Sequence, residues 1–294
     1  MTSAIALRAG RAAAVLLALW AALTLTLPSA MDRYGPWSIS TGAGFGCAPQ
    51  VGAAGAIRVT GQCGRPLEEV YATPLANVIV DATARSLVLL AGAALLAFVV
   101  GTIVGAIAAS WRRHALRGGA LLGATSLFAA IPAFFIAYFL QILVIILGGA
   151  TGRRILPIFG FGYDDHIVLP LLAVAVPAVM TTAQLASARF AELLDEEFVT
   201  TARAKGLLGS WIIRVHVLPH ALPVILEGVG NGLRLSVASL PIVEYLFVWN
   251  GIGFIALQSI ASRDAAGLTA SALVLAALFA LLAVVADLVR PPTR

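Results

Sequence analysis

The sequence predicts an all-α polytopic membrane protein of six transmembrane helices, with one charged loop on the inner side and a small loop domain on the outer side. Three observations carry that expectation. Of the 294 residues, 60% are hydrophobic and 11% charged, and the mean hydropathy is +0.97; a soluble core does not absorb that much apolar surface. Uncharged runs recur at the length of roughly 20 residues that crosses a bilayer core of about 30 Å. The basic residues, which give a formal charge of +5, sit at the ends of those runs rather than on one face. That distribution reads as membrane topology and argues against a nucleic-acid partner.

The first run, Ala12 to Met31, defines a first transmembrane helix within residues 1–31. Its flanks allow a second reading. Arg8 and Arg11, an apolar stretch to Leu27 and then Pro28, Ser29 and Ala30 also have the form of a secretory signal, whose removal would leave five spans. Residues 32–82 form an extracytoplasmic loop domain rich in Gly, Pro and Ser, and they hold both cysteines, Cys47 and Cys63. Two cysteines in an outer loop read as one disulfide in an oxidising compartment. Closing a loop of about 15 residues is worth about 3 kcal/mol in the chain-entropy model; two unrelated buried thiols are the alternative. Residues 83–290 form a five-helix transmembrane core from the runs Ser86 to Trp111, Gly118 to Gly152, Ile167 to Ala188, Ala221 to Phe247 and Ala265 to Ala286. Glu227, Arg234 and Glu244 interrupt the fourth of these. Six crossings place both termini on one side. With the termini cytoplasmic, eleven basic residues fall inside and seven outside, the bias that cytoplasmic segments carry.

Between the fourth and fifth spans, at about residues 189–220, lies a charged, glycine-punctuated island. Such a stretch can lie on the membrane surface and present a face to a soluble partner. Gly206 supplies a break, because glycine turns there without a Cβ clash. Phe198, Leu207, Leu208 and Trp211 can anchor in a groove, while Arg203 and Lys205 face solvent, phospholipid or acidic residues. A plain amphipathic interfacial helix would have a similar composition.

Within the fifth span, Glu227, Asn231 and Arg234 recur at i, i+4 and i+7 and so share one helix face. Intramembrane charge costs roughly 2.5–3.5 kcal/mol per group on insertion scales, so these side chains face protein or water. Two readings stand side by side: they line a translocation path, or Glu227 and Arg234 pair and hold the span against a neighbour. Gly228, Gly230 and Gly232 beside them allow close helix approach. Catalytic constellations are absent from the sequence, including the phosphate-binding Gly-x-x-x-x-Gly-Lys-Ser/Thr loop. His216 and His220 stand at i, i+4 without a third ligand nearby, so no metal site is expected.

Specific strings carry a resemblance. The run Glu197-Phe198-Val199-Thr200-Thr201-Ala202-Arg203-Ala204-Lys205-Gly206-Leu207, followed by His216 to Pro223, resembles the cytoplasmic coupling loop of permease subunits in binding-protein-dependent ABC importers of the peptide/nickel branch. Ile131-Pro132-Ala133-Phe134-Phe135 and Val243-Glu244 through Trp249, Gly251 and Gly253 resemble further segments of that family, the latter pointing to the B-type partner of a two-permease pair. The likeness spans about residues 85–290. Departures lie at Pro28 to Asp32, where the family carries Pro-Gly-Asp-Pro, at Asn250, where proline is usual, and at Thr200-Thr201-Ala202, where the broad importer motif has Glu-Ala-Ala.

The resemblance implies that Glu197, Phe198, Thr201, Ala202, Arg203, Ala204, Lys205, Gly206, Leu207 and Leu208 dock a partner ATPase. It further implies a multi-pass cell-membrane protein that is no enzyme itself and carries no cofactor. ATP and Mg would bind two separate ATP-binding subunits. A second permease subunit and an extracytoplasmic substrate-binding protein would complete the assembly, which imports peptides or related solutes. The competing expectation is a self-sufficient secondary transporter or channel. Against it stands the absence of internal repeats with paired broken helices.

Overall fold

The computed structural model describes residues 10, 13–25, 47–51, 57–61, 67, 71–111, 115–262 and 264–289. The helices are α1 (Ala13–Leu25), α2 (Leu75–Ser110), α3 (Ala115–Ala130), α4 (Ala133–Thr151), α5 (Val168–Leu194), α6 (Glu197–Ala204), α7 (Gly209–Phe247), α8 (Ile252–Ser262) and α9 (Ala265–Val289). Among the described residues, five helical stretches are long and apolar enough to cross a membrane: Leu75–Ser110, Ala133–Thr151, Asp165–Leu194, Gly209–Phe247 and Ala265–Ala286. The first expected span is described over Ala13–Leu25, a shorter apolar helix.

Element limits differ from the hydropathy limits for local reasons. The uncharged run Gly118 to Gly152 is not one helix. Pro132 is extended (φ −57°, ψ 140°), and its carbonyl accepts from the amides of Phe135 and Ile136, so α3 stops at Ala130 and α4 restarts at Ala133. A residue before proline is pushed out of the α region, and proline suits a helix start. In the other direction, α2 begins at Leu75 rather than Ser86. The Pro74 carbonyl accepts from Asn77 and Val78, and helix formation needs backbone bonds, not hydropathy. Asp81 and Arg85 therefore lie within a helix, and the expected end of the outer loop domain at residue 82 falls inside α2.

The segment expected to form the outer loop contains a pair of antiparallel strands, β1 (Cys47–Val51) and β2 (Ile57–Gly61). Its register sets Gly61 opposite Cys47. The expected Cys47–Cys63 disulfide is not supported: none is found among the described residues, Gly61 takes the position facing Cys47, and Cys63 lies outside those residues.

The chain divides into two compact units. One comprises residues 1–87 and 248–278. Within it the start of α2 holds the start of α8: Ser86 Oγ accepts from the Ile252 amide at 2.8 Å, and Arg85 Nη1 donates to the Asn250 carbonyl at 3.2 Å. Trp249, fully buried, donates from Nε1 to the Arg85 carbonyl at 3.4 Å. The Tyr71 hydroxyl donates to Gln258 Oε1 at 2.7 Å, and Asp264 Oδ2 accepts from the Leu67 amide at 3.1 Å.

The other unit comprises residues 88–247 and 279–294, with α5 at its centre. Two pairs of glycines let neighbouring helices approach α5. A Cβ on Gly101 or Gly105 would lie 2.8 Å from Thr182 Cβ or 2.6 Å from Ala186 Cβ. On α7, a Cβ on Gly228 or Gly232 would lie 3.0 Å from Thr182 Cα or 2.4 Å from Ala178 Cα. The helix α5 is thus clamped between two Gly-x-x-x-Gly ridges, the packing that membrane helices favour when no solvent drives them together. At the far end of α7, the Leu246 carbonyl accepts from Gln141 Nε2 and the Phe247 carbonyl from the Gly160 amide, both at 2.9 Å. Those are carbonyls that a helix end leaves without intrahelical partners.

Candidate functional site: the surface helix between α5 and α7

The polar island folds as a helix–turn–helix. Helix α5 closes as the Asp195 and Glu196 amides donate to the Glu192 and Leu193 carbonyls. Glu196 then turns extended (φ −70°, ψ 151°), and its carbonyl accepts from Val199 and Thr200 to start α6. Glu197 lies in the first turn and Arg203 in the last, which matches each charge to the end of the helix dipole that favours it.

The other end of α6 is closed by backbone geometry. Gly206 has φ +78°; its amide donates to the Arg203 carbonyl at 2.9 Å, and the Leu207 amide donates to the Ala202 carbonyl at 3.2 Å. This pair of bonds, with a left-handed residue just past the helix, is a Schellman motif. Leu208 is extended again and leads into α7.

Helix α6 has one face down and one face out. Val199 (0% exposed) and Ala202 (7%) are buried against Phe190 and Leu193 of α5, Ile212, Val217, Ala221 and Ile225 of α7, and Ala109 at the end of α2. Sequence reading gave Ala202 a docking role and did not single out Val199. The structure makes the two a three-residue step that seats α6 on the helices beneath it. The remaining expected docking residues, Glu197, Phe198, Thr201, Arg203, Ala204, Lys205, Gly206, Leu207 and Leu208, are all exposed, as is Trp211. Phe198 is steadied by its own chain, its ring stacked on His220 at a centroid distance of 5.7 Å while 37% exposed. His220 Nδ1 in turn lies 2.7 Å from the His216 carbonyl oxygen. A cleft of about 260 Å³ opens beside α6, lined by Ser110, Leu194, Arg203, Gly209 and Ile212.

The junction from this surface segment into α7 is a π-helical stretch, Ile212–Val217, and a second lies in α2 at Ala97–Gly101. Such widened turns concentrate at functional sites. Neither is visible in composition or periodicity, because both are made of ordinary helix-compatible residues.

The candidate path residues lie on α7 as the spacing required. Glu227, Asn231 and Arg234 are all half-buried, and the Arg234 guanidinium donates from Nη2 to Asn231 Oδ1. Among the described residues no cluster of three or more His, Cys, Asp or Glu is placed to hold a metal ion.

Residues 101–291 match the model of the family described as "Binding-protein-dependent transport system inner membrane component". The chain belongs to that family. It is the membrane-embedded, inner-membrane permease component of an ABC importer. The permease is 27% identical over 239 residues to a putative peptide permease protein of Brucella ovis, covering 78% of this chain and 73% of the relative. It is 29% identical over 224 residues to the glutathione transport system permease protein GsiC of Shigella flexneri, covering 75% and 70% respectively. In fold, the permease is similar to a chain solved in inward-facing conformations of the MetNI methionine ABC transporter. The TM-score is 0.60 at 20% identity, covering 75% of this chain and 99% of that one.

Proposed function

We propose that this permease is one of two membrane subunits that together form an import path for peptide-like solutes, and that α6 is the element through which a partner ATPase drives it. The observation that carries the reading is the two-sided construction of α6. Val199 and Ala202 fix it to the ends of α5 and α7, while Phe198, Arg203, Lys205, Leu207 and Leu208 stand exposed around a rigid glycine turn. A push on the exposed face passes through a packed core to two membrane-spanning helices. Exposed aromatic and aliphatic anchors rimmed by charge suit a groove on a soluble partner.

ATP and Mg would be bound and hydrolysed in two partner subunits, and an extracytoplasmic binding protein would deliver the solute. Both termini and α6 lie on the cytoplasmic side in this reading, in keeping with the arginine bias. Support for a peptide-like cargo comes from the relatives named for peptide and glutathione transport; the resemblance of Val243 to Gly253 supports the B-type place in a heterodimer.

Affinity purification of the tagged chain from its native membrane tests this. Two ATP-binding subunits and a second permease should co-purify. Reversing both cations, Arg203→Glu with Lys205→Glu, should release the ATPases while retaining the second permease, and abolish solute-stimulated ATP hydrolysis. Retention of the ATPases with full stimulation would overturn the docking role of α6.

A further inference from the structure

Helix α7 shows two exposed strips separated by packed faces. Its packed side is set by Gly228 and Gly232 against α5, with Ser236 Oγ donating to the Val174 carbonyl at 2.7 Å. One exposed strip carries Leu222 and Leu226, each 37% exposed, and suits hydrocarbon. The other runs along Leu235, Ala238 and Ile242, exposed at helical spacing, with the half-buried Asn231 one turn before them. Arg234 lies at the edge of that second strip, one turn before Ala238. An arginine in a membrane span faces protein or water rather than lipid, and this charge is what sets the second strip apart from the one carrying Leu222 and Leu226, since Leu235 and Ile242 are themselves apolar.

Asn231 Oδ1 accepts one N–H of the Arg234 guanidinium, which has five in a fixed planar fork. The bond ties the fork to its own helix and sets its direction. A guanidinium so held presents paired donors that match a carboxylate. Glu227 does not cancel it at the level of Ala238. On an α-helix rising 1.5 Å per residue, Glu227 stands about 16 Å from Ala238 along the axis, against about 6 Å for Arg234. Glu244 is fully buried, and it falls on a different face of α7.

We propose that Arg234, oriented by Asn231, is a selectivity residue: it makes this strip of α7 a water-lined surface that attracts the carboxylate of a passing solute. The inference rests on the permease reading above and names the charge class of the cargo.

The test needs no knowledge of the cargo. Ala238→Cys is placed in the chain with Cys47→Ser and Cys63→Ser, and the complex is reconstituted in vesicles. It is treated with an anionic sulfonatoethyl or a cationic trimethylammonioethyl methanethiosulfonate, and labelling of this chain is timed by mass spectrometry. Both reagents should react, and the anionic-to-cationic rate ratio should fall about tenfold when Arg234→Gln is added. That is about threefold for each reagent from one unit charge at about 5–6 Å in water. Arg234→Lys should keep the ratio. A ratio that moves less than twofold, or an introduced thiol that neither reagent reaches, overturns the proposal.

Uptake of a dipeptide and of its C-terminal amide then reads the consequence. In Arg234→Gln, kcat for the free acid should fall several-fold with KM, set by the binding protein, unchanged, and the amide should be unaffected. If the unsubstituted complex takes up neither compound, the peptide reading fails, and the labelling ratio still decides the role of Arg234.

Discussion

Gly206 shows how much one residue can decide. Its φ of +78° is left-handed, and an added Cβ would meet no neighbour within 4 Å. Any effect of substitution there is therefore conformational rather than steric crowding. A β-branched residue in this region costs roughly 1–2 kcal/mol, whereas asparagine enters it with less strain. Gly206→Val should therefore loosen the turn without disturbing the spans. We expect ATPase stimulation in the reconstituted complex to fall at least tenfold with membrane abundance within twofold of the parent, and Gly206→Asn to retain most of the stimulation. Equal stimulation in the Val and Asn variants would show that the turn geometry is not used. Val248 is a contrasting case, a β-branched residue at φ 56°. Such strain persists only where the surroundings fix it, and the following Trp249 is fully buried.

Among elements, α5 depends on close approach more than on bulk. Gly232 has no room for a methyl group, since its Cβ would stand 2.4 Å from Ala178 Cα, a backbone atom. Gly119 on α3 has nothing within 4 Å. Gly232→Ala should then force α7 off α5, with an overpacking cost of about 1–3 kcal/mol. Gly119→Ala should be neutral or gain up to about 1 kcal/mol from helix propensity. Thermal melting of the detergent-solubilised protein checks the opposite signs; a Gly232→Ala variant as stable as the parent would contradict the glycine clamp. Pro132 acts on elements from the opposite direction, ending one helix and starting the next within a single apolar run. The π-helical stretch Ile212–Val217 stands where the α6 turn meets α7, so any movement of α6 reaches the span through a widened, less regular turn.

For the whole molecule, each compact unit carries its own fastening. In the unit of residues 1–87 and 248–278, Trp249 is fully buried and bonded to the Arg85 carbonyl. Truncation of so large a buried ring costs about 3–5 kcal/mol. Trp249→Ala should reduce the amount of folded protein in the membrane several-fold, with Trp249→Phe recovering most of it by immunoblot; unchanged abundance in the alanine variant would remove the anchoring role. Much of the protein was nevertheless legible without coordinates. Hydropathy and charge placement identified a multi-pass membrane chain, because burying apolar surface in lipid is a property of composition. The Thr201 to Gly206 string marked the surface segment, and the need for a Cβ-free turn singled out Gly206, because both are local in sequence. Tertiary structure alone decided the rest. It extended α2 back to Leu75 and set Gly61 opposite Cys47. It also turned Val199 and Ala202 inward, paired Gly101 with Thr182 and Gly232 with Ala178, and tied Arg234 to Asn231. These outcomes turn on where a backbone bond forms or which surface lies opposite a residue, and apolar periodicity carries neither; the break of the third apolar run at Pro132, by contrast, follows from proline chemistry local to the sequence.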